Sequence, residues 1–450
     1  MRIYYFLFVL FLSFNACCFA QDSLVIQIQQ IEESIETPNI PERTINVLDY
    51  GVKADDAKND KPGFDEAIAA LVKAGGGILK VPKGSYLLKG PIHLKSKINL
   101  HLEAGAVLNF NDTPSDYPLV ATSWEGTFIY NYSPLIYAYQ AEDLAITGSG
   151  KINGNGDGIW ATFKTQEEAD KLSSRKMNHQ QTSVTSRRFG NGHFLRPQLV
   201  QFFDSKRILI EDVRFENSPF WCVHLLRSNN ITIDGISYDS QNKNNDGIDL
   251  EYASNVVIKN VVFNNSDDNV AIKAGRDTEG RANAATPSER IVVRDCKFKG
   301  LHAIVIGSEM SAGVRDVYVY DNEAWGYLKR GVYFKTNSDR GGYIRNINIS
   351  NNTFKRVEDA IFMTANYHGE GSGKHISKIS KILLKNLYFD QAENFGIVLE
   401  GYPNQPISDI RLKNIQITKA KNALTLRDTE GVQFKNIQIG EAAGTPSSVK

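Results

Sequence analysis

A short alternation of apolar and polar residues recurs nine times along the chain, at intervals of 22 to 35 residues. In every unit the first and third residues are apolar, which is the period-two pattern of a half-buried strand. We therefore expect short strands that stack at a nearly regular repeat. The units begin at Ile208, Ile231, Val256, Ile291, Val317, Ile347, Ile382, Ile410 and Val432.

The fifth residue of each unit is always Asp, Asn or Gly. These residue types enter the left-handed backbone region at low cost, so a bend is predicted at one fixed place in every unit. A short strand followed by a bend at this period is typical of a right-handed parallel β-helix, an all-β solenoid. A leucine-rich repeat would need helices and leucines, whereas isoleucine, valine and phenylalanine dominate here. The bend residues are Asp212, Gly235, Asn260, Asp295, Asp321, Asn351, Asn386, Asn414 and Asn436.

One amphipathic helix is predicted before the first strands, from Asp60 to Ala74. Asp60 is the expected N-cap, Pro62 suits the first turn, and three glycines end the helix at residues 75–77. We expect this helix to cap the open end of the solenoid, where strand edges would otherwise be unpaired. Its apolar face consists of Phe64, Ile68, Leu71 and Val72.

The first twenty residues predict a secretory signal peptide. Arg2 precedes an apolar stretch from Tyr4 to Phe14, and Cys18-Phe19-Ala20 is a small-x-small cleavage site. The stretch is too short to span a membrane. We expect an exported protein, periplasmic or extracellular; a lipid anchor through Cys17 or Cys18 is the alternative.

Charge and cysteine content exclude several partners. Lys+Arg and Asp+Glu both number 51, and no basic run stands out, so no nucleic-acid partner is expected. An anionic ligand would have to be held by local cations. Beyond the signal only Cys222 and Cys296 remain, which form neither a disulfide framework nor a metal site. We expect two buried free thiols.

Two acidic segments lie one coil apart. Asp246 precedes Asp267 by 21 residues and Asp268 by 22. Since coils stack at about 4.8 Å, the three carboxyl groups should meet on one wall, and at least one pKa must rise. A protonated carboxyl beside ionised ones suits glycosidic hydrolysis, in which one group protonates the leaving oxygen and another activates water. The alternative is that all three are turn residues.

These segments resemble the polygalacturonases of glycoside hydrolase family 28, which carry Asn-Thr-Asp, Asp-Asp, Gly-His-Gly and Arg-Ile-Lys motifs. Tyr367 stands where that family often places a substrate tyrosine, and the resemblance extends from about Thr44 to the C-terminus. The matching positions are Asn244-Asn245-Asp246, Asp267-Asp268, Leu301-His302-Ala303 and Tyr333-Phe334-Lys335.

The resemblance implies an inverting hydrolase that cleaves α-linked galacturonic acid in pectin, without cofactor or metal. Asp267 would be the general acid, and Asp246 with Asp268 would position and deprotonate the water. His302 would tune the acid pair. Lys335 would hold a substrate carboxylate, and Lys273 and Arg276 are further candidates for this role. Tyr367 and Tyr333 are candidates for stacking on sugar faces, and Asn244 is also a predicted substrate-binding residue.

The domain organisation that follows is a signal peptide at residues 1–20, an N-terminal extension at 21–43, and a single β-helix catalytic domain at 44–450. Residues 165–191 are polar and lack either periodicity, and we interpret them as a long excursion flanking the site. We expect a monomer that binds an anionic pectic polysaccharide or oligosaccharide and has no membrane span.

Departures from the family motifs bear on the substrate. Tyr333 replaces the arginine of Arg-Ile-Lys, so a planar cation for a carboxylate is lost. Leu301 and Ala303 replace two glycines, which narrows the approach of a sugar to the backbone. We therefore expect exo action on a modified or branched pectin, such as rhamnogalacturonan.

Two other functions remain open. A pectate-lyase-type enzyme would share the solenoid and could use the acidic cluster as a calcium site. A non-catalytic carbohydrate-binding or adhesin solenoid would use the aspartates only to form bends.

Overall fold

The computed structural model describes residues 24–369, 371–441 and 447–449. The predicted signal peptide lies outside these residues. From Thr44 onward the chain winds into a right-handed parallel β-helix. Among the described residues, no helix is both long and apolar enough to cross a membrane.

Three parallel ladders, named A, B and C here, form the walls of the solenoid. Ladder A contains Thr44–Asn46, Gly77–Val81, Ile98–Leu102, Glu142–Thr147, Lys206–Glu211, Asn229–Asp234, Ser254–Lys259, Ser288–Arg294 and Val314–Tyr320. Ladder B contains Gly84–Leu88, Ala106–Phe110, Lys151–Asn153, Arg214–Glu216, Ser237–Ser240, Val262–Asn265 and Lys297–Phe298. Ladder C contains Ile92–His93, Ile136–Tyr139, Val200–Phe203, Val223–Leu226, Ile248–Glu251, Asp268–Lys273 and His302–Gly307.

In the later coils, strands run through the bends and join more than one ladder. These long strands are Glu323–Lys335, Tyr343–Thr364, Lys378–Glu400, Ile407–Arg427 and Thr429–Glu441, the last of which pairs with the antiparallel strand Ser447–Val449. A separate antiparallel hairpin consists of Leu119–Trp124 and Thr127–Tyr132. The helices are residues 24–34, Lys61–Lys73, Ile159–Phe163, Glu168–His179 and Asp277–Ala282, and the 3-10 turns are Val47–Tyr50, Pro114–Asp116, Val184–Ser186 and Tyr367–Gly369.

The predicted repeat is confirmed residue by residue. The first residues of the nine units are successive register partners in ladder A, from Ile208 against Ile231 to Ile410 against Val432. All nine bend residues have a positive φ, between 53° and 68°. Asparagines at the last bends also bond to one another across coils: the Asn386 amide donates to Asn351 at 2.9 Å, and the Asn414 amide donates to Asn386 at 2.8 Å. The bends therefore add hydrogen bonds along the stacking direction.

The predicted cap helix spans Lys61–Lys73, and its apolar face is buried except at Val72, which is 47% exposed. The interpretation of Asp60 as a side-chain N-cap was wrong. Its carboxylate accepts from the backbone N–H groups of Lys53, at 3.1 Å, and Leu87, at 3.0 Å. Asp60 thus ties the helix to the adjoining loop and to ladder B.

A second helix, at residues 24–34, lies on the outer face of ladder A. Ile31 is 8% exposed and packs with Val257, Val292 and Tyr318. The Glu32 carboxylate pairs with the Arg294 guanidinium at 2.8 Å. The extension before the first coil is therefore fastened to coils in the middle of the chain.

The excursion at residues 165–191 contains the helix Glu168–His179, which its sequence did not predict. The side chains that this helix buries are polar, namely Asp170, Ser174 and Asn178. The Asn178 amide donates to Thr127 Oγ1 and to the backbone carbonyl of Arg276, both at 3.1 Å. A helix buried through hydrogen bonds carries no apolar period, which is why the pattern missed it.

Cys222 and Cys296, the two cysteines among the described residues, are free and buried, as predicted.

Candidate active site

The predicted site residues come together on the outer face of ladder C. Asp268 and His302 each begin a strand and are register partners, and Lys335 ends the strand of the next coil. They line one cavity of about 690 Å³. The other predicted residues that line this cavity are Asp246, Asp267, Asn244, Arg276, Tyr333 and Tyr367.

Asp268 is held by two basic groups. The Lys335 ammonium lies 2.9 Å from one carboxylate oxygen, and Nδ1 of His302 lies 2.5 Å from the other. Burial raises the pKa of Asp268, but Lys335 and His302 more than offset burial and bring this pKa well below its usual range. Asp268 is therefore the ionised carboxylate of the group.

Asp267 has the opposite character. Burial and the neighbouring charge of Asp268 raise the pKa of Asp267 to about 6. Ligand atoms of Asp267, Asp268 and His302 all lie within 4.8 Å of one another. The two adjacent carboxyl groups thus differ widely in proton affinity. Such a difference allows one group to act as an acid and the other as a base.

His302 is neutral near pH 7. Burial lowers its pKa to about 4, although Asp268 acts in the other direction. In the neutral ring we assign the proton to Nδ1, which donates to Asp268. Nε2 has no hydrogen-bond partner among the described residues. The histidine therefore fixes one oxygen of Asp268 without carrying charge.

Lys273 lies among three buried carboxylates, two of which the sequence analysis missed. Its ammonium is 3.4 Å from Asp246, 3.3 Å from Asp249 and 3.5 Å from Glu309. Burial and then Asp249 raise the pKa of Asp246, and burial raises that of Asp249 to about 8. Burial also opposes ionisation of Glu309, but Lys273 and Arg276 hold its pKa well below the usual range.

This cluster has two consequences. Lys273, a possible substrate-binding cation on sequence grounds, is occupied by the protein's own carboxylates. Asp249 could have been found, because it lies three residues after Asp246 and alternates with the buried Ile248 and Leu250. Since side chains alternate across a strand, Asp249 must point away from the face that carries Ile248 and Leu250.

The remaining predicted residues are held by specific contacts. Arg276 donates to Glu309 at 2.7 Å and to the Glu125 backbone at 3.0 Å. The side-chain oxygen of Asn244 accepts from Arg196 at 2.8 Å. The Lys335 ammonium lies 5.4 Å from the ring centres of both Tyr333 and Tyr367.

The glycine replacements beside His302 have unequal effects. Leu301 lines the cavity, but Ala303 is fully buried in the core. The expectation that both would narrow the approach of a sugar was therefore wrong for Ala303, because its side chain points to the inner face of the strand.

One end of the cavity is walled by the excursion and the hairpin. Lys171 and Arg175 of the excursion, and Lys164 directly before it, line the cavity. The buried Arg196 pairs with Glu167 at 3.2 Å and donates to the backbone of Lys243 at 2.6 Å, next to Asn244. The wall is thus tied to the loop that carries Asn244 and Asp246. In the other direction the cavity follows ladder C past Phe362 to Glu400.

A protonated carboxyl and an ionised carboxylate, on the outer face of a parallel β-helix, define a glycoside hydrolase of the solenoid type. The chain belongs to the glycosyl hydrolases family 28, whose model matches residues 77–444. A second model, Rhamnogalacturonase A/epimerase, pectate lyase-like, matches residues 44–109. The family, the fold class and the enzyme type predicted from the sequence are confirmed.

The named relatives of this chain are polygalacturonases and exopolygalacturonases. A "Probable polygalacturonase" of Vitis vinifera is 30% identical over 407 residues, covering 86% of this chain and 77% of the relative. The structure of a hyperthermoactive exopolygalacturonase from Thermotoga maritima is 36% identical, with a TM-score of 0.86, over 91% of this chain and 95% of that chain. A family 28 exopolygalacturonase of Yersinia enterocolitica shares the fold at 22% identity, with a TM-score of 0.73, over 91% and 77% of the two chains.

Proposed function

We propose that this protein is an exo-acting, inverting hydrolase that releases galacturonic acid from one end of a galacturonan chain. The observation that carries the proposal is the wall at one end of the cavity. Because the wall lies beside the catalytic carboxylates, a polymer can extend in one direction only. Resemblance to the Thermotoga maritima exopolygalacturonase supports the same conclusion.

Asp267 is the general acid in this proposal. With a pKa near 6 it keeps its proton in mildly acidic solution and can give it to the glycosidic oxygen as the bond to C1 breaks. Asp268, held ionised by Lys335, takes the proton from the attacking water, and Asp246 helps to position that water. His302 orients Asp268 through Nδ1. Water thus adds its hydroxyl to C1, and inversion is what the family implies.

The cations that line the cavity favour an acidic sugar as the substrate. The whole protein has no net charge, so a polyanion is not attracted at long range. Lys335 and Arg276 line the cavity and are the predicted carboxylate-binding groups. Export directed by residues 1–20 belongs to this proposal, because a polysaccharide is encountered outside the cytoplasm.

A modified pectin such as rhamnogalacturonan is a second candidate substrate. Tyr333 favours it, because this position lacks the arginine of the family motif. A calcium-dependent lyase is disfavoured by the position of Lys335, since a divalent ion on Asp268 would stand beside an ammonium group 2.9 Å away.

Product analysis tests the proposal. The enzyme is incubated with homogalacturonan, rhamnogalacturonan and end-labelled oligogalacturonides, and early products are separated by chromatography. We expect monogalacturonate alone at the earliest times. An early mixture of oligomers would refute exo action, and products that absorb ultraviolet light would refute hydrolysis.

Asp267→Asn is the matched variant for the same assay. We expect the rate to fall roughly 10²- to 10⁴-fold, the usual contribution of a general acid. Circular dichroism and the melting temperature check that the variant is folded. A folded D267N protein with the wild-type rate would end the assignment of the acid.

A further inference from the structure

Tyr333 removes a cation from the family motif, but another arginine reaches the same place. Arg330 lies three residues earlier on the strand Glu323–Lys335 and lines the same cavity. Its guanidinium carbon is 4.4 Å from the ring centre of Tyr333 and 4.2 Å from that of Phe362. The Arg330 side chain remains 17% exposed.

The position of Arg330 follows from the register. It pairs with His302 on the preceding coil and with Asp359 on the following coil. Because His302 is itself paired with Asp268, Arg330 stands two coils beyond the ionised carboxylate, at about 10 Å along the ladder. This is the direction in which the cavity follows ladder C toward Glu400.

Two aromatic rings lie against the guanidinium group of Arg330. Nε lies 3.2 Å from the buried carboxylate of Asp359 but makes no hydrogen bond within the described residues. Neither Nη atom makes a hydrogen bond within the part of the chain that the structure describes. A guanidinium held in this way is pre-organised for a two-point contact with a carboxylate.

We propose that Arg330, together with Lys335, binds the carboxylate of the galacturonate residue on the leaving side of the scissile bond. The inference rests on the proposed function: the wall places the released sugar on the near side of Asp268, so the rest of the polymer passes Lys335 and Arg330. Tyr333 is then a support on which the arginine stacks. Its presence no longer argues against unmodified homogalacturonan.

A purely structural role for Arg330 is the competing explanation. Asp359 is almost fully buried, and a buried carboxylate needs a partner. Arg330→Gln alone would not separate the two roles, because it also leaves the buried carboxylate of Asp359 without its cation. The double variant R330Q/D359N removes the cation and the buried anion together.

The test compares KM and kcat for trigalacturonate in the wild type, R330Q and R330Q/D359N. A charge-assisted hydrogen-bonded contact predicts that KM rises roughly 10- to 100-fold in both variants, with a smaller change in kcat. Wild-type KM in the double variant would overturn the inference, because neutralising Asp359 would then be the whole task of Arg330. R330K should recover part of the lost affinity.

Arg345→Gln is the matched control. Arg345 also stacks on a tyrosine, 4.5 Å from the ring centre of Tyr343, but it is exposed and does not line the cavity. We expect its KM to be unchanged. A wild-type enzyme that releases no galacturonate contradicts the proposed function; calorimetric binding of trigalacturonate to the same variants still decides the role of Arg330.

Discussion

Replacing Lys335 by methionine tests how the site keeps Asp268 ionised. Methionine preserves most of the side-chain length and removes the charge that lies 2.9 Å from the carboxylate. His302 stays in place and retains its hydrogen bond to Asp268. The substitution therefore isolates the contribution of the ammonium group.

The size of the effect follows from the contact distance. An opposite charge within 4–6 Å lowers a carboxyl pKa by about 1–3 units, and this pair is closer and buried, so we expect a rise of about 2–3 units in K335M. At 1.36 kcal/mol per unit, the carboxylate loses about 3–4 kcal/mol of stabilisation. The pKa of Asp268 then returns to its ordinary range or above it.

The sign is fixed by the role of each carboxyl group. In the proposed mechanism Asp268 works as an anion, so the rate should fall when the pH falls through its pKa, and K335M should move this acidic limb upward by about 2–3 pH units. In the same mechanism Asp267 works as an acid with a pKa near 6, so the rate should fall as the pH rises through that value. Lys335 also lowers the pKa of Asp267, so the alkaline limb moves upward as well.

The assay is the pH dependence of kcat at saturating oligogalacturonide, which removes the contribution of substrate affinity. Lys259→Met is the control, because Lys259 pairs with Asp234 at 3.0 Å on the outer surface, away from the cavity. Its profile should match the wild type. An acidic limb that stays in place in K335M, with only KM raised, would show that Lys335 acts on the substrate alone.

Two further predictions concern stability. Asn386→Val forces a β-branched residue into a backbone with a φ of 53° and removes the bonds to Asn351 and Asn414, so the free energy of unfolding in urea should fall by about 2 kcal/mol. N386G, which keeps the backbone geometry, should lose less; an equal loss would assign the effect to the side chain. Ile31→Ala should lower the free energy of unfolding by about 2 kcal/mol and speed hydrogen exchange in residues 24–34, and unchanged exchange would mean that the helix is held by other contacts.

The fold could be predicted because its two determinants are local. The alternation that predicts a strand and the residue that predicts a bend both lie within five residues, from Ile208 to Asp212 in the first unit. Each later coil repeats the same unit. The caps are less local. Asp60 stands where an N-cap is expected, but its carboxylate accepts hydrogen bonds from the backbone N–H groups of Lys53 and Leu87 instead of capping the helix.

From residue spacing alone the site was predictable only where the spacing equals one coil, whereas His302 and Lys335 were predicted from the family resemblance. Asp246 and Asp267 are separated in that way, and they do line one cavity. Glu309 reaches the cavity from a loop, and Arg330 reaches it through the pairing register of its strand and the length of its side chain. Period-two patterns encode none of these. The catalytic roles of the aspartates and of His302 remain predictions that the variants above address.

The docked helix at residues 24–34 bears on the order of events as the chain is made. Coils of a solenoid contact mainly their neighbours, so assembly can proceed from one coil to the next. The surface that receives Ile31 is built from Val257, Val292 and Tyr318, which are synthesised more than 220 residues later. The helix at residues 24–34 therefore cannot dock until the middle coils have formed, and its attachment follows the assembly of those coils.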